Sequence, residues 1–113
     1  MYTKYFKESL IGDLTLTAIE LVENTDLMDI NDIENSCCTI KIDDRYEVNI
    51  SIDYCTNTDN VPKDWWIWFT LFDDGVASSV IEQDSENLSD DKIREAATIF
   101  ADICIKHNII TAE

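Results

Sequence analysis

Three pairs of adjacent carboxylates are the residues of this chain best suited to catalysis. Asp43-Asp44, Asp73-Asp74 and Asp90-Asp91 each place two acidic side chains next to each other, and carboxylate oxygens are ligands that Mg²⁺ accepts. The first two pairs lie where turns are expected and the third lies where a helix begins, so each already has a structural role. A metal-dependent enzyme built on a carboxylate cluster is therefore only an alternative, and we expect no metal or other cofactor.

The cysteines and the single histidine give little support for nucleophilic catalysis or zinc binding. Cys37, Cys38, Cys55 and Cys104 form no C-x-x-C pair, and His107 is the only histidine. Although Cys104 and His107 are spaced to meet on one helix face, no third group is placed to orient the histidine as a base. We expect His107 to be a cation in the last turn of a helix, the cysteines to be free thiols, and the chain not to be an enzyme.

The net charge is the strongest indication of function. The 113 residues include 24 Asp and Glu against eight Lys and Arg, which gives a formal net charge of −16. A domain of this length is roughly 34 Å across, and duplex DNA carries about 20 phosphates over that span. A protein charged as densely as DNA repels nucleic acid, so we expect no direct nucleic-acid binding and a basic, Lys/Arg-rich partner instead.

Length and composition indicate a single domain over residues 1–113. Hydrophobic residues make up 45% of the chain, which is enough for a core. No stretch approaches the roughly 18 consecutive apolar residues of a membrane span, and the first residues lack the apolar run of a signal peptide. We therefore expect a cytoplasmic protein without membrane contact.

Two alternating segments in the middle of the chain predict a β-hairpin. The apolar positions are Cys38, Ile40 and Ile42 in the first arm and Val48, Ile50, Ile52 and Tyr54 in the second. Period-two alternation is typical of strands with one buried and one solvated face. The solvated face is expected to carry Asp43, Glu47 and Asp53, with Lys41 as its only base.

The next strand is apolar on both faces. Trp65, Ile67, Phe69 and Leu71 alternate with Trp66, Trp68 and Phe72, and the run ends in Asp73-Asp74-Gly75, a strong hairpin signal before a return strand from Val76 to Glu82. Such a strand either lies in the centre of the sheet with both faces covered or presents an aromatic patch to solvent. We expect both faces to be covered, with Tyr2, Tyr5 and Phe6 as candidate cover.

The two ends of the chain complete the predicted fold. Ser89 is placed as the N-cap of a C-terminal helix, Leu88 and Ile93 form a hydrophobic staple, and Asn108 is expected to close the helix. Residues 14–22 are interpreted as a strand from their β-branched content, with a helix as the alternative, and residues 24–35 as a short helix or an acidic loop. The prediction is an α+β fold: an antiparallel sheet of four to five strands packed against a C-terminal helix.

In size, charge and lack of catalytic motifs the chain resembles small acidic inhibitor proteins, such as phage anti-CRISPR and anti-restriction proteins and the immunity proteins that neutralise nuclease toxins. The resemblance implies a non-enzymatic nucleic-acid mimic that covers the basic, nucleic-acid-binding surface of a partner. An immunity protein that binds a bacterial toxin through a shape-matched interface with a tryptophan anchor is an alternative. The expected contact residues are Asp43, Asp44, Glu47 and Asp53 of the hairpin, Asp26, Asp29, Asp32 and Glu34 of the acidic segment, and secondarily Trp66 and Trp68.

Overall fold

The residues that the structure describes form three helices and four strands. The computed structural model describes residues 6–56, 62–86 and 88–112. In chain order the elements are α1 (Lys7–Asn24), α2 (Ile30–Glu34), β1 (Cys37–Lys41), β2 (Tyr46–Thr56), β3 (Pro62–Asp73), β4 (Val76–Ser85) and α3 (Asp90–Lys106). The predicted α+β class is confirmed, because the antiparallel sheet packs against the C-terminal helix.

The sheet is a simple meander in the order β1-β2-β3-β4, with every neighbouring pair antiparallel. The predicted hairpin turn between β3 and β4 is confirmed by its backbone. Asp74 has a φ of 51° and Gly75 a φ of 84°. Positive φ at both central residues belongs to the turn that matches the right-handed twist of a two-residue hairpin. Because β2 and β3 each have a neighbouring strand on both sides, both run through the centre of the sheet.

The core lies between the helices and one face of the sheet, called here the inward face. Its strand residues include Ile50 and Phe69, which are fully buried. Phe100 of α3 is also fully buried, and its ring centroid lies 5.9 Å from that of Phe69 at an angle of 50°. This tilted aromatic pair joins helix and sheet at the centre of the core.

The first helix corrects the strand that was expected over residues 14–22. In a strand, Leu14, Leu16 and Ala18 would share one face; in the structure Leu14 and Ala18 are fully buried whereas Leu16 is 58% exposed. Leu10 lies one turn before Leu14 and is also fully buried. This spacing of four residues is that of a helix, so contact with α3 outweighs the β preference of the Thr and Ile side chains.

Both ends of α3 carry the predicted caps. The Ser89 hydroxyl accepts a hydrogen bond from the Lys92 amide at 3.4 Å. At the other end Asn108 has a φ of 61°, and its amide donates to the Ile105 carbonyl while the Ile109 amide donates to Cys104. This pair of bonds is the Schellman arrangement, which satisfies carbonyls at a helix terminus.

None of the helices that the structure describes is both long enough and apolar enough to cross a lipid bilayer.

Candidate functional site

The face of the sheet opposite the core is the candidate site, and it is called here the open face. The described helices all pack on the inward face: α1 contacts β1 and β2, α2 contacts β2, and α3 contacts β3 and β4. The cover expected over the second face of β3 is therefore not supplied by the described helices. Of the candidate covering residues, Tyr2 and Tyr5 lie outside those residues, and Phe6 is 48% exposed and pairs with Thr111.

An aromatic row runs along the middle of the open face. It consists of Trp66, Trp68 and Phe72 of β3, all partly buried, with Thr70 between the last two. The register explains the position of this row, because β3 is paired on both sides and its alternate side chains must point away from the core. Large aromatic side chains left partly exposed in a group are typical of interaction surfaces.

Carboxylates border the aromatic row on both neighbouring strands. On β2, Asp53 lies directly opposite Trp66 and Glu47 opposite Phe72. On β4, Asp84 lies opposite Trp68 and Glu82 opposite Thr70. Directly opposed residues share a face of the sheet, so these four carboxylates share the open face. The one described basic residue on this face is Lys41, which lies opposite Glu47 in the β1–β2 register. The described part of the open face therefore carries a net charge of about −3.

A recess opens at one end of the aromatic row. Asp53, Tyr54, Trp66 and Trp68 line a volume of about 210 Å³. Asp53 is exposed, and its Oδ1 accepts a hydrogen bond from the Tyr54 amide at 2.8 Å. The recess therefore combines two indole rings with one carboxylate at its edge.

The Trp66 indole nitrogen is the one buried side-chain polar atom among the described residues that has no hydrogen-bond partner. An indole N–H can only donate, and leaving such a donor buried without an acceptor costs about 1–3 kcal/mol. Within the described residues, the Trp66 indole N–H therefore makes no stabilising hydrogen bond.

The predicted hairpin residues are divided between the open face and a turn. Glu47 and Asp53 lie on the open face, as expected, whereas Asp43 and Asp44 lie in the β1–β2 turn. Asp43 Oδ1 accepts from the amides of Arg45 and Tyr46, both at 2.8 Å. Since β2 rises about 3.3 Å per residue, the start of β2 beside this turn is roughly 23 Å from Asp53. The four hairpin carboxylates therefore do not form one cluster.

The predicted acidic segment builds and surrounds α2. Asp29 is the N-cap of this helix and accepts from the Asn31 amide at 3.0 Å, while the Asp26 amide donates to Asp32. The Tyr54 hydroxyl donates to Glu34 Oε1 at 2.8 Å, and this hydrogen bond raises the pKa of Tyr54. Tyr54 belongs to the inward-facing set of β2, so the acidic segment lies at the Asp53 end of the sheet but on its other side.

The paired carboxylates considered for metal binding take structural roles. Arg45 Nε and Nη2 donate to the two oxygens of Asp73 at 2.6 and 3.0 Å, and this pairing lowers the pKa of Asp73. Asp90 and Asp91 lie in the first turn of α3, where the helix dipole favours negative charge. Within the described ranges, no three potential ligands come together in a cluster that could hold a metal ion.

Cys104 and His107 differ in burial. Cys104 is fully buried, and desolvation raises its pKa to about 12, so the thiol stays protonated. His107 is exposed at the C-cap of α3. A protonated, buried thiol is a poor nucleophile, so this pair takes no place in the candidate site.

Two site residues, Glu82 and Asp84, were missed from the sequence. Four residues of β4, Ser78 to Ile81, lie opposite the single Leu71 of β3, because the register shifts there. The Ser78 hydroxyl accepts from the Val80 and Ile81 amides at 3.3 and 3.2 Å. The alternation of Glu82 and Asp84 was visible in the sequence, but their partners on β3 depend on the length of this bulge.

No protein-family model matches the chain, and comparison with curated proteins and with solved structures found no significant similarity.

Proposed function

We propose that the protein is a non-enzymatic inhibitor that binds the basic, nucleic-acid-binding surface of a partner protein through its open face. The observation that carries the proposal is the row Trp66, Trp68 and Phe72, bordered by carboxylates on both adjacent strands and left without helical cover in the described chain. The proposal includes a cytoplasmic location, where enzymes that process nucleic acids act.

The arrangement has the anatomy of a protein–protein interface. Aromatic residues are enriched at the centre of such interfaces, and polar groups form a solvated rim around them. Here the rim consists of the carboxylates of Glu47, Asp53, Glu82 and Asp84. It would attract and orient a Lys/Arg-rich surface before contact. The aromatic row would then supply the apolar area that keeps the complex together.

The charge of the whole chain supports the same partner. A net charge of −16 creates a field that steers a basic protein toward the acidic one and weakens as salt is added. A surface that normally holds DNA or RNA has the complementary charge. Its occupation by this protein would exclude the nucleic acid without any chemical step.

The second candidate function is immunity against a bacterial toxin. It is favoured by the spacing of the rim, because Asn49 and Ser51 separate Glu47 from Asp53 on β2. The open face of β2 is therefore not a continuous row of carboxylates spaced like phosphates. In an immunity protein the Trp66–Trp68 anchor would carry more of the affinity than the charges.

Competition for the partner tests the proposal directly. Partners are captured from lysate of the source cells at about 50 and 200 mM salt, a range in which polyelectrolyte contacts weaken strongly. Each captured protein is then loaded with labelled DNA or RNA and titrated with this protein. We expect stoichiometric release of the nucleic acid. A stable ternary complex of partner, nucleic acid and this protein would show that the proposed surface is wrong.

Two variants separate the two candidate functions. Trp68→Ala removes part of the anchor, and Asp53→Asn removes one charge from the rim. If inhibition of a nucleic-acid-binding partner is the function, the charge variant loses affinity mainly at low salt. If toxin immunity is the function, the partner is a toxin, and Trp68→Ala is more damaging than Asp53→Asn at every salt concentration.

A further inference from the structure

The recess beside Asp53 gives the proposed partner a specific chemical feature. Resting on the proposed function, we infer that this recess receives one arginine side chain of the basic partner, stacked on the Trp66–Trp68 pair and paired with the Asp53 carboxylate. The inference names the residue type that is recognised, which net charge alone does not.

The recess has the right size for this side chain. Its volume is about 210 Å³, so it can take a side chain of several non-hydrogen atoms. An arginine side chain has seven non-hydrogen atoms beyond its Cα. The recess therefore has room for an arginine side chain.

The walls suit a planar cation. Two of the four lining residues are tryptophan, the aromatic residue that attracts cations most strongly through its π face. A guanidinium is flat and weakly hydrated, so it stacks on an indole, whereas a lysine ammonium is compact and strongly hydrated. The recess is therefore expected to prefer arginine to lysine.

The carboxylate completes the site. Asp53 Oδ1 already accepts the Tyr54 amide, and Oδ2 has no hydrogen bond among the described residues. A guanidinium can pair with such a carboxylate through its fork of N–H donors. The one described basic residue of this face, Lys41, forms an ion pair with Asp44 at 3.6 Å, and its register partner Glu47 is roughly 20 Å along β2 from Asp53.

Apolar side chains fit the recess less well. An aliphatic or aromatic side chain seated against the indoles would cover part of the Asp53 carboxylate without offering it a donor. Removing a carboxylate from water without a partner is costly. Asp84 lies on the other side of Trp68 in the β3–β4 register and adds to the preference for a cation.

Matched tripeptides test the inference. The probes are acetylated and amidated Gly-Arg-Gly, Gly-Lys-Gly and Gly-citrulline-Gly, the last being nearly the same shape as arginine but uncharged. Each is added at millimolar concentration while the indole N–H signals of the protein are followed by NMR. We expect the arginine peptide to shift the Trp66 and Trp68 signals, the lysine peptide to bind several-fold more weakly, and the citrulline peptide to have no effect.

Four variants define the site, and each is checked for folding by circular dichroism. Asp53→Asn is expected to weaken arginine binding roughly two- to fivefold, as for the loss of an ion pair at an exposed carboxylate. Its control, Asp13→Asn on the exposed side of α1, is expected to bind normally. Trp68→Ala should lose binding and Trp68→Phe should retain most of it, because the phenyl ring keeps a π face.

The results separate this inference from the proposed function. Equal shifts by the arginine and citrulline peptides, or equal binding by Asp53→Asn and Asp13→Asn, would overturn the arginine site. In that case displacement of nucleic acid from the captured partner would still support the proposed function. If displacement fails while the arginine peptide binds as expected, the proposed function is wrong and the recess is an arginine site of another role.

Discussion

Neutralising the carboxylate rim should weaken binding far more than removing the same number of charges elsewhere. The test variant replaces Glu47 and Glu82 with Gln and Asp53 and Asp84 with Asn. It changes the charge of the described open face from three negative to one positive, because Lys41 remains. The amides are close in shape to the acids, so the aromatic row and the strand register should be unaffected.

The magnitude follows from the exposure of these groups. Glu47, Asp53 and Glu82 are exposed and Asp84 is partly buried, so each ion pair with a partner stays partly solvated and is worth about 0.2–1 kcal/mol. Together the four changes should cost about 1–4 kcal/mol, which is a rise in Kd of roughly 5-fold to several hundred-fold. The salt dependence of Kd should also become shallower.

The chain offers a matched control on α1. Glu8, Asp13, Glu20 and Glu23 are all exposed on this helix, which belongs to the opposite layer of the fold. Replacing them with Gln and Asn gives the same change of net charge. Kd for the captured partner is measured for both variants by calorimetry at two salt concentrations. An equal loss of affinity would refute the reasoning, because the partner would then sense total charge and not the open face.

Three further predictions concern stability and are measured by urea unfolding. Phe100→Ala should lower the free energy of unfolding by about 3–5 kcal/mol, because it empties a fully buried site, and a loss below about 1 kcal/mol would contradict that burial. The hydrogen bond from Arg45 lowers the pKa of Asp73, so this ion pair stabilises the fold above the ordinary aspartate pKa of about 3.9 and loses its effect as pH falls through the lowered pKa. The wild type should therefore lose more stability than Arg45→Met between neutral and acidic pH. Parallel pH profiles of the two proteins would contradict this prediction. Trp66→Phe removes the unpaired indole N–H and keeps an aromatic ring, so unfolding free energy should stay equal or rise by up to about 2 kcal/mol; a clear decrease would mean that the N–H is satisfied.

Much of the sheet could be predicted because its signals are local. The alternation around Ile50 and Ile52 has period two, and Asp74-Gly75 can adopt the positive φ values that a tight hairpin needs. The cap at Ser89 and the closure at Asn108 also depend only on neighbouring residues. Each of these features is decided within a few residues of the chain.

The remaining features depend on distant parts of the chain. Leu14 and Leu16 together are consistent with a strand, and only the packing of α1 on α3 buries one and exposes the other. Whether Trp66 and Trp68 are covered depends on which side of the sheet receives the helices. Both strand faces of β3 are apolar, so the sequence of β3 does not favour either side. Glu82 and Asp84 of β4 were missed for a similar reason, because their partners on β3 depend on the bulge at Ser78.

The carboxylates beside the tryptophans also affect whether two copies of the protein bind each other. An aromatic row that no described helix covers favours self-association, since two such faces could bury each other. With four carboxylates against one lysine on each described face, stacking two copies would bring like charges together in a desolvated contact, which is unfavourable. A basic partner reverses the sign of this contribution while keeping the apolar gain. The rim therefore selects the partner as well as attracting it. The variant with all four rim carboxylates neutralised should self-associate in sedimentation experiments at concentrations where the α1 control variant stays monomeric. If both variants showed the same sedimentation behaviour at all concentrations, the rim would not have this second role.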